Sequence, residues 1–381
     1  MSLSSSRNIA KVSAAGSGKT FDICRSALLE SKRGNRVLIT TYTNRGAEAV
    51  RKEIKSQNCG VMHPLIAVKT WYSFMMSELI KPYQRFLTGE INGIKGFDYT
   101  QAYGHINYAK TGMKKRYITE NKNVRSNEAA SLVCMLNRLS DGKVIRRLEE
   151  IYSTIYFDEI QDMAGDDIEI IQLLIVSSIN VVFCGDNKQA TFSTHNTRKY
   201  KQQTGKNVWQ FFMDMERKKL VEVERNLVSR RFNRQICCFA NRVFPIGNAI
   251  TTIMAEETIH DGVFLISETD IDKYVSSYSP RLLRYNRGSK DYGYFATNFG
   301  ACKGETYDRV LIVPNDPLKK FILKGTALSS PEKYYVAVTR AKYSIAIVFD
   351  HLPKVLCDYE ETLIDCSGTY IRALKFVVDS I

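Results

Sequence analysis

The sequence predicts an α/β fold built on parallel sheets, and three observations predict it. First, apolar runs such as Val37-Leu38-Ile39, Ile155-Tyr156-Phe157 and Val181-Val182-Phe183-Cys184 are continuous rather than alternating, as in strands covered on both faces. Second, each run leads into polar residues, which puts those groups at the carboxyl edge of a sheet, where open parallel sheets hold ligands. Third, helical spacing follows the runs, as in Ala47, Val50 and Ile54 behind a candidate N-cap at Asn44. With 381 residues the chain has room for two or three domains and a sizeable core.

The element that organises the rest is Val12-Ser13-Ala14-Ala15-Gly16-Ser17-Gly18-Lys19-Thr20. An apolar-rich run from Ile9 precedes it, and Ile23, Ala27 and Leu28 continue it at helical spacing. Strand, small-residue loop and Gly-Lys-Thr opening a helix form the layout of a phosphate-binding loop. Gly16 and Gly18 let the amides of the Ala15-Gly16-Ser17-Gly18 stretch close on phosphates, and the helix N-terminus adds a favourable dipole. Lys19 is placed to reach the β- and γ-phosphates and Thr20 to ligate magnesium. Ala14 stands where G-x-x-x-x-G-K-[ST] has its first glycine, and a chance Gly-Ser turn before a helix is the competing explanation.

The bulk properties narrow the class. Apolar content of 44% and charged content of 25% are those of an ordinary globular protein. No apolar run reaches membrane-spanning length, and the polar, serine-rich residues 1–11 lack a signal-peptide core. Nine cysteines are scattered without a repeated C-x-x-C, and the five histidines do not cluster near them. A reduced, cytoplasmic protein without structural zinc is expected. Lys plus Arg (54) exceeds Asp plus Glu (40), a formal charge of +14. That excess suits a polyanion or a basic solvated surface, and beside a phosphate-binding loop it points to nucleic acid.

Further along, Thr70-Trp71-Tyr72-Ser73-Phe74 ends a strand in aromatics and hydroxyls. Residues 77–150 read as a basic, mostly helical insertion. Lys110, Lys114, Lys115, Arg116, Lys122 and Arg125, with Tyr108 and Tyr117 among them, are followed by Arg138, Lys143, Arg146 and Arg147. Such a run fits a nucleic-acid backbone and equally fits a charged solvent-facing helix pair. Sheet signals return at Ser153-Thr154-Ile155-Tyr156-Phe157, which ends in Asp158-Glu159, and again before Gly185-Asp186-Asn187-Lys188-Gln189. An acidic residue at such an edge serves a cation or a proton transfer. Asp158 is assigned to magnesium and Glu159 to activating the attacking water. A second α/β unit is expected from 197 to 381. It opens with an arginine-rich helical stretch over 224–244 and has strands near 262–266, 280–285, 308–313 and 343–349.

These segments, in this order, resemble the UvrD-like helicases of superfamily 1. The phosphate-binding loop resembles their first motif in its serine-containing variant. Thr40-Thr41-Tyr42-Thr43-Asn44-Arg45-Gly46-Ala47 is similar to T-F-T-N-K-A-A, and the Thr70 segment to T-x-H-x-F. Asp158-Glu159-Ile160-Gln161-Asp162 is close to D-E-x-Q-D, and Gly185-Asp186-Asn187-Lys188-Gln189 resembles G-D-x-x-Q. Ser229-Arg230-Arg231-Phe232 is similar to S-x-R-F, Lys303-Gly304-Glu305-Thr306-Tyr307 to K-G-L-E-F, and Val336-Ala337-Val338-Thr339-Arg340-Ala341-Lys342 to V-A-x-T-R-A-K.

The resemblance implies two RecA-like P-loop NTPase domains, 1–196 and 197–381. It also implies ATP and Mg2+ as cofactors and a catalytic set of Asp158, Glu159, Gln189, Arg231 and Arg340. Gly304 and Thr306 would lie near the nucleotide. Thr41, Tyr42, Thr43, Asn44, Thr70, Trp71 and Lys303 would lie on single-stranded DNA. The implied activity is an ATP-dependent helicase or translocase moving 3′ to 5′. The alternatives are a DNA-stimulated ATPase that regulates a partner nuclease, and an RNA helicase.

Departures from the pattern are specific. Phe192 is followed by Ser193-Thr194-His195-Asn196 and the basic residues 198–206 instead of W-R-G-A, so that motif's strand contacts do not carry over directly, to Arg198 or Trp209 or any other residue. Thr306 replaces the usual glutamate. The short stretch from the fourth to the fifth motif leaves no room for the accessory insertion of UvrD itself.

Overall fold

The computed structural model describes residues 8–100, 113–190 and 207–378. They divide into two compact units. The first falls within Met1–Val12, Lys19–Asn187 and Phe192–Arg225, the second within Ser13–Gly18, Lys188–Thr191 and Asn226–Ile381. The division therefore passes through the phosphate-binding loop.

The first unit opens with β1 (Ile9–Ser13), α1 (Lys19–Lys32), β2 (Val37–Thr41), α2 (Asn44–Gln57), β3 (Ile66–Thr70) and α3 (Trp71–Phe74). A π-helical turn at Met75–Ile80 leads into the insertion. There α4 (Arg85–Thr88), β4 (Gly96–Asp98), α5 (Met113–Tyr117), β5 (Asn123–Arg125), α6 (Ala129–Leu139) and α7 (Lys143–Ile151) follow in turn. The chain then returns to the sheet with β6 (Thr154–Asp158), α8 (Asp167–Ile175), β7 (Asn180–Gly185), α9 (Val208–Arg217) and β8 (Glu222–Asn226). The sheet order is β3-β2-β6-β7-β1-β8, with β1, β2, β3, β6 and β7 mutually parallel.

The continuous apolar runs earn their place because both faces are covered. Along β2, Val37 and Ile39 join Ile23, Ala27, Val50 and Ile54 beneath α1 and α2, whereas Leu38 joins the opposite core. That opposite core takes in Phe157 and Phe183 together with α6, α8, α9 and the insertion. The helix signal behind β2 was real, but its cap is Thr43 rather than Asn44. The Thr43 side chain accepts from the Gly46 N–H at 3.0 Å.

The second unit contains β9 (Val228–Ser229), α10 (Arg234–Val243), β10 (Thr251–Thr252), β11 (Gly262–Ser267), α11 (Ile271–Tyr278), β12 (Arg281–Arg284), β13 (Ala296–Asn298) and β14 (Tyr307–Val313). It continues with α12 (Asp316–Lys324), α13 (Pro331–Val338), β15 (Ala341–Phe349), β16 (Tyr359–Cys366) and β17 (Thr369–Phe376). Its seven-stranded sheet runs β13-β12-β14-β15-β11-β17-β16. The first five strands are parallel, and the terminal hairpin adds β17 antiparallel to β11. Helices α10, α12 and α13 cover one face, and α11 covers the other.

Two α/β units, each on a mainly parallel sheet, form the two RecA-like domains of the predicted fold class, with the helical insertion in the first. Two local expectations change. The boundary expected at 196/197 lies outside the described residues, and α9 and β8 belong to the first unit, not the second. The cause is packing: Phe212 of α9 lies 4.9 Å from Phe183 of β7, ring to ring. The helical stretch expected over 224–244 begins only at Arg234. There the Asn233 side chain caps α10 by accepting from the Ile236 N–H at 3.0 Å, while 222–226 and 228–229 are strands.

Candidate functional site

Because β1, β7 and β6 are adjacent and parallel, their carboxyl ends share one edge, with Val12 opposite Gly185 and Asp158 opposite Cys184. The loop after β1 uses both glycines in the left-handed region, Gly16 at φ 73° and Gly18 at φ 92°. Thr20, at the start of α1, donates its hydroxyl to the Asp158 carboxylate at 3.2 Å. Asp158 is only 4% exposed. A hydroxyl and a carboxylate side by side are hard oxygen donors of the type magnesium takes. Among the described residues no group of three or more His, Cys, Asp and Glu is placed to hold a metal. The pair fits an ion that draws most of its shell from phosphate oxygens and water, which is how magnesium is usually held.

Glu159 follows in the left-handed region at φ 65°, uncommon for a residue with a side chain. Gln161 explains how it is held. This buried amide donates to the Glu159 carboxylate through Nε2 and accepts the Asp186 backbone N–H through Oε1 at 3.1 Å. Gly185 makes room for it, since a Cβ there would sit 2.3 Å from Gln161 Oε1 and 2.8 Å from the Ile160 side chain. Gln161 stands within the Asp158-Glu159-Ile160-Gln161-Asp162 segment, which by itself assigns it no role. The signal was the spacing: two residues after Glu159, across a short 3-10 turn at Ile160–Asp162.

Within the second unit, the structure gathers most of the other predicted groups. Arg340 is 1% exposed and fully engaged. Its guanidinium donates to Gln189 Oε1 at 3.1 Å, to the Glu305 carbonyl at 3.0 Å and to the Val336 carbonyl at 3.0 Å. Arg231 donates to the Thr339 carbonyl at 3.1 Å, one residue away from Arg340. Lys303 reaches the Gln189 carbonyl at 3.2 Å. Gly304 sits at φ 86° next to the Glu305 carbonyl that Arg340 grips, and Thr306 is exposed.

Lys188, not among the expected site residues, is buried with Nζ 3.0 Å from the Phe244 carbonyl and lies over the Phe244 and Tyr335 rings. Ala14 and Ala15 are buried in this unit's core, so a methyl at 14 is used in packing. Gly16 lies against Arg231: a Cβ on it would fall 2.4 Å from Arg231 Cβ.

The expected strand contacts divide into two groups. Asn44, Lys69, Thr70 and Ser73 line a cavity of about 660 Å3 with Arg51 at the end of β3. Thr70 caps α3, and Tyr42 is half-buried. Trp71, however, is 0% exposed and donates its indole N–H to Asp167 at 2.8 Å, so it is a core residue and not a stacking platform. Thr41 is likewise buried. An aromatic surface that the sequence did not single out is formed by Tyr72 packed against Phe97 and Tyr99, with Tyr99 62% exposed.

In the insertion, Arg116, Lys122, Arg138, Arg146 and Arg147 each pair with a carboxylate. Lys114 and Lys115 are exposed; Tyr108 and Lys110 lie outside the described residues. Burial pushes the Glu78 carboxyl up, but hydrogen bonds from Lys69 and Arg147 outweigh it and hold the group below the usual carboxylate range. Trp209 is buried against Phe212, and Phe192 and residues 198–206 lie outside the described residues. No helix among the described residues is long and apolar enough to cross a membrane.

A parallel sheet whose first strand feeds a glycine loop and a helix, with the helix threonine bonded to a strand-end aspartate, defines a nucleotide-binding P-loop NTPase domain. Residues 2–194, just over half of the sequence, match the AAA_19 family, described as an AAA domain, and the chain belongs to that family. No curated protein matches the sequence. Among solved structures, the chain is similar to arterivirus nonstructural protein 10, a helicase solved in complex with DNA. The identity is 14% and the TM-score 0.46 over 92% of this chain, which spans 61% of that one.

Proposed function

We propose that the protein is an ATP-dependent motor that couples hydrolysis to movement along single-stranded DNA, 3′ to 5′, and opens duplexes as it moves. The observation that carries the reading is the 3.2 Å bond from Thr20 to Asp158 beside a Glu159 held by Gln161. It supports hydrolysis over mere nucleotide binding, because a magnesium pair and a positioned carboxylate base are what γ-phosphate transfer to water requires.

In this reading Lys19 carries the phosphate charge and Glu159 takes a proton from the attacking water. Thr20 and Asp158 would hold magnesium, which would supply further charge neutralisation when bound. Arg231 and Arg340 stabilise the transferring phosphoryl group from the second unit. Arg340 is bonded to Gln189 here, so its action requires the guanidinium to exchange that amide for a phosphate oxygen. Arginines on a separate domain make catalysis depend on domain closure, and this converts hydrolysis into relative motion.

The test is ATP hydrolysis by the purified chain with single-stranded DNA, duplex DNA and RNA in parallel. Stimulation by single-stranded DNA is expected, with activity lost in Lys19→Ala. Hydrolysis indifferent to every strand, or unchanged in Lys19→Ala, refutes it. Stimulation without strand displacement would favour an ATPase that reports nucleic acid to a partner nuclease.

A further inference from the structure

At the amino ends of β12, β14 and β15 the second unit holds a cavity of about 910 Å3, within the size range of small-ligand sites. Its walls come from the end of α11, the residues before β13 and the start of β14. Phe295 is 77% exposed although it is a large apolar ring. The Arg281 guanidinium lies over the Phe295 ring at 5.3 Å and over the Tyr307 ring at 5.2 Å.

The other charges in this cavity are committed. Lys342 pairs with Asp308 at 2.9 Å, Tyr343 hydrogen-bonds Glu256, and Arg309 donates to Thr258 Oγ1 at 3.1 Å. The Arg281 side chain makes no hydrogen bond or ion pair among the described residues. Its planar cation is held by rings alone, with its N–H donors still to be used. A ring open to solvent beside a guanidinium with spare donors suits a planar base joined to a phosphate. The base stacks on the ring and the phosphate takes the donors.

We propose that this cavity binds one nucleotide unit, its base on Phe295 and its phosphate on Arg281. Tyr307 links the cavity to the hydrolytic arginine. Its N–H donates to the Arg340 carbonyl at 2.8 Å, and its hydroxyl bonds Glu305, whose carbonyl holds the Arg340 guanidinium. A ligand seated here therefore bears on Arg340 through one residue. The nucleotide belongs either to a strand or to a free mononucleotide. The strand arm rests on the proposed motor function; the mononucleotide arm does not.

The experiment measures binding of fluorescent oligo-dT and, separately, of thymidine monophosphate to the full chain without ATP, in wild type, Phe295→Ala and Arg281→Ala. Basal ATP hydrolysis and thermal midpoint serve as controls. Loss of one stacking ring predicts a fall in affinity of roughly 5- to 100-fold, with basal hydrolysis unchanged in Phe295→Ala. A fall for oligo-dT assigns the site to a strand, and a fall for the monophosphate alone assigns it to a free nucleotide. Affinities for both probes unchanged in both variants, or no binding of either probe to wild type, overturn the proposal. Wild-type hydrolysis that no strand stimulates would remove the motor reading while the monophosphate arm still judged the cavity.

Discussion

Gln161→Glu is the sharpest probe of the role proposed for Glu159, because it changes charge and hydrogen-bonding sense with almost no change in volume. In the native chain the buried amide donates to Glu159 and accepts from the Asp186 N–H. A glutamate keeps the second bond and replaces the first with two facing carboxylates. At about 4 Å and an effective dielectric near 20, two such charges repel by about 4 kcal/mol, equivalent to roughly three pKa units shared by the pair. The pair then holds one proton at neutral pH.

Protonated or displaced, Glu159 is no base, and kcat should fall by about 10²- to 10⁴-fold, the usual worth of such catalysis. KM for ATP should be nearly constant, because in the proposed mechanism this pair acts on the attacking water and not on the bound phosphates. The pH profile supplies the signature. As pH rises the shared proton is lost and part of the activity returns. Stability moves the opposite way: a carboxyl whose folded pKa is raised costs nothing below about pH 4, its unfolded value, and costs most above the raised one. The assay is steady-state hydrolysis from pH 6 to 9 beside urea unfolding over the same range. Wild-type kcat with a wild-type pH profile would refute the assignment of Glu159 as the base held by Gln161.

Other perturbations have equally definite outcomes. Gly16→Ala puts a Cβ on a φ of 73° and within 2.4 Å of Arg231 Cβ, so hydrolysis should be largely lost and the thermal midpoint lowered. The left-handed backbone alone costs about 1–2 kcal/mol, and wild-type activity with a wild-type midpoint would contradict the geometry. Burial chiefly, with Arg309 and Lys375 adding to it, holds the His260 imidazole down to about 3 between the rings of Phe264 and Tyr278. The unfolded imidazole takes a proton below about pH 6.5 while the folded one stays neutral, so stability should drop from there toward the acid side. The slope is at most about 1.4 kcal/mol per pH unit. Urea titrations of His260→Phe at pH 5 and pH 7 should show that component removed; an unchanged slope would exclude it.

The strands were legible because burial on both faces leaves an unbroken apolar run, and the loops at their carboxyl ends were legible because phosphate chemistry constrains small residues tightly. Trp71 was misread for a physical reason. An aromatic after a strand end can serve a base or the core, and only the buried Asp167 acceptor for its indole N–H distinguishes the two. The insertion's basic run was ambiguous in the same way: its partners Glu78, Glu90, Asp141, Glu128 and Glu169 lie 5 to 69 residues away in sequence and become neighbours only in three dimensions, and pairing across sequence does not show in composition. Gln161 was hidden because a buried amide has no charge to advertise it.

Two buried glutamines each hold one of the charged groups proposed for hydrolysis. Gln161 engages Glu159 and the Asp186 N–H, and Gln189 engages Arg340. Asp186 and Gln189 stand on either side of the point where the chain passes from the first unit to the second, at Asn187 and Lys188. The amide bonded to Glu159 and the amide bonded to Arg340 are thus both tied to one short segment. Lys188, buried in the ring pocket of Phe244 and Tyr335, pins its far end. An amide is suited to this work at both places. It satisfies a carboxylate at one end and a guanidinium at the other without adding a charge that would compete with the nucleotide for either.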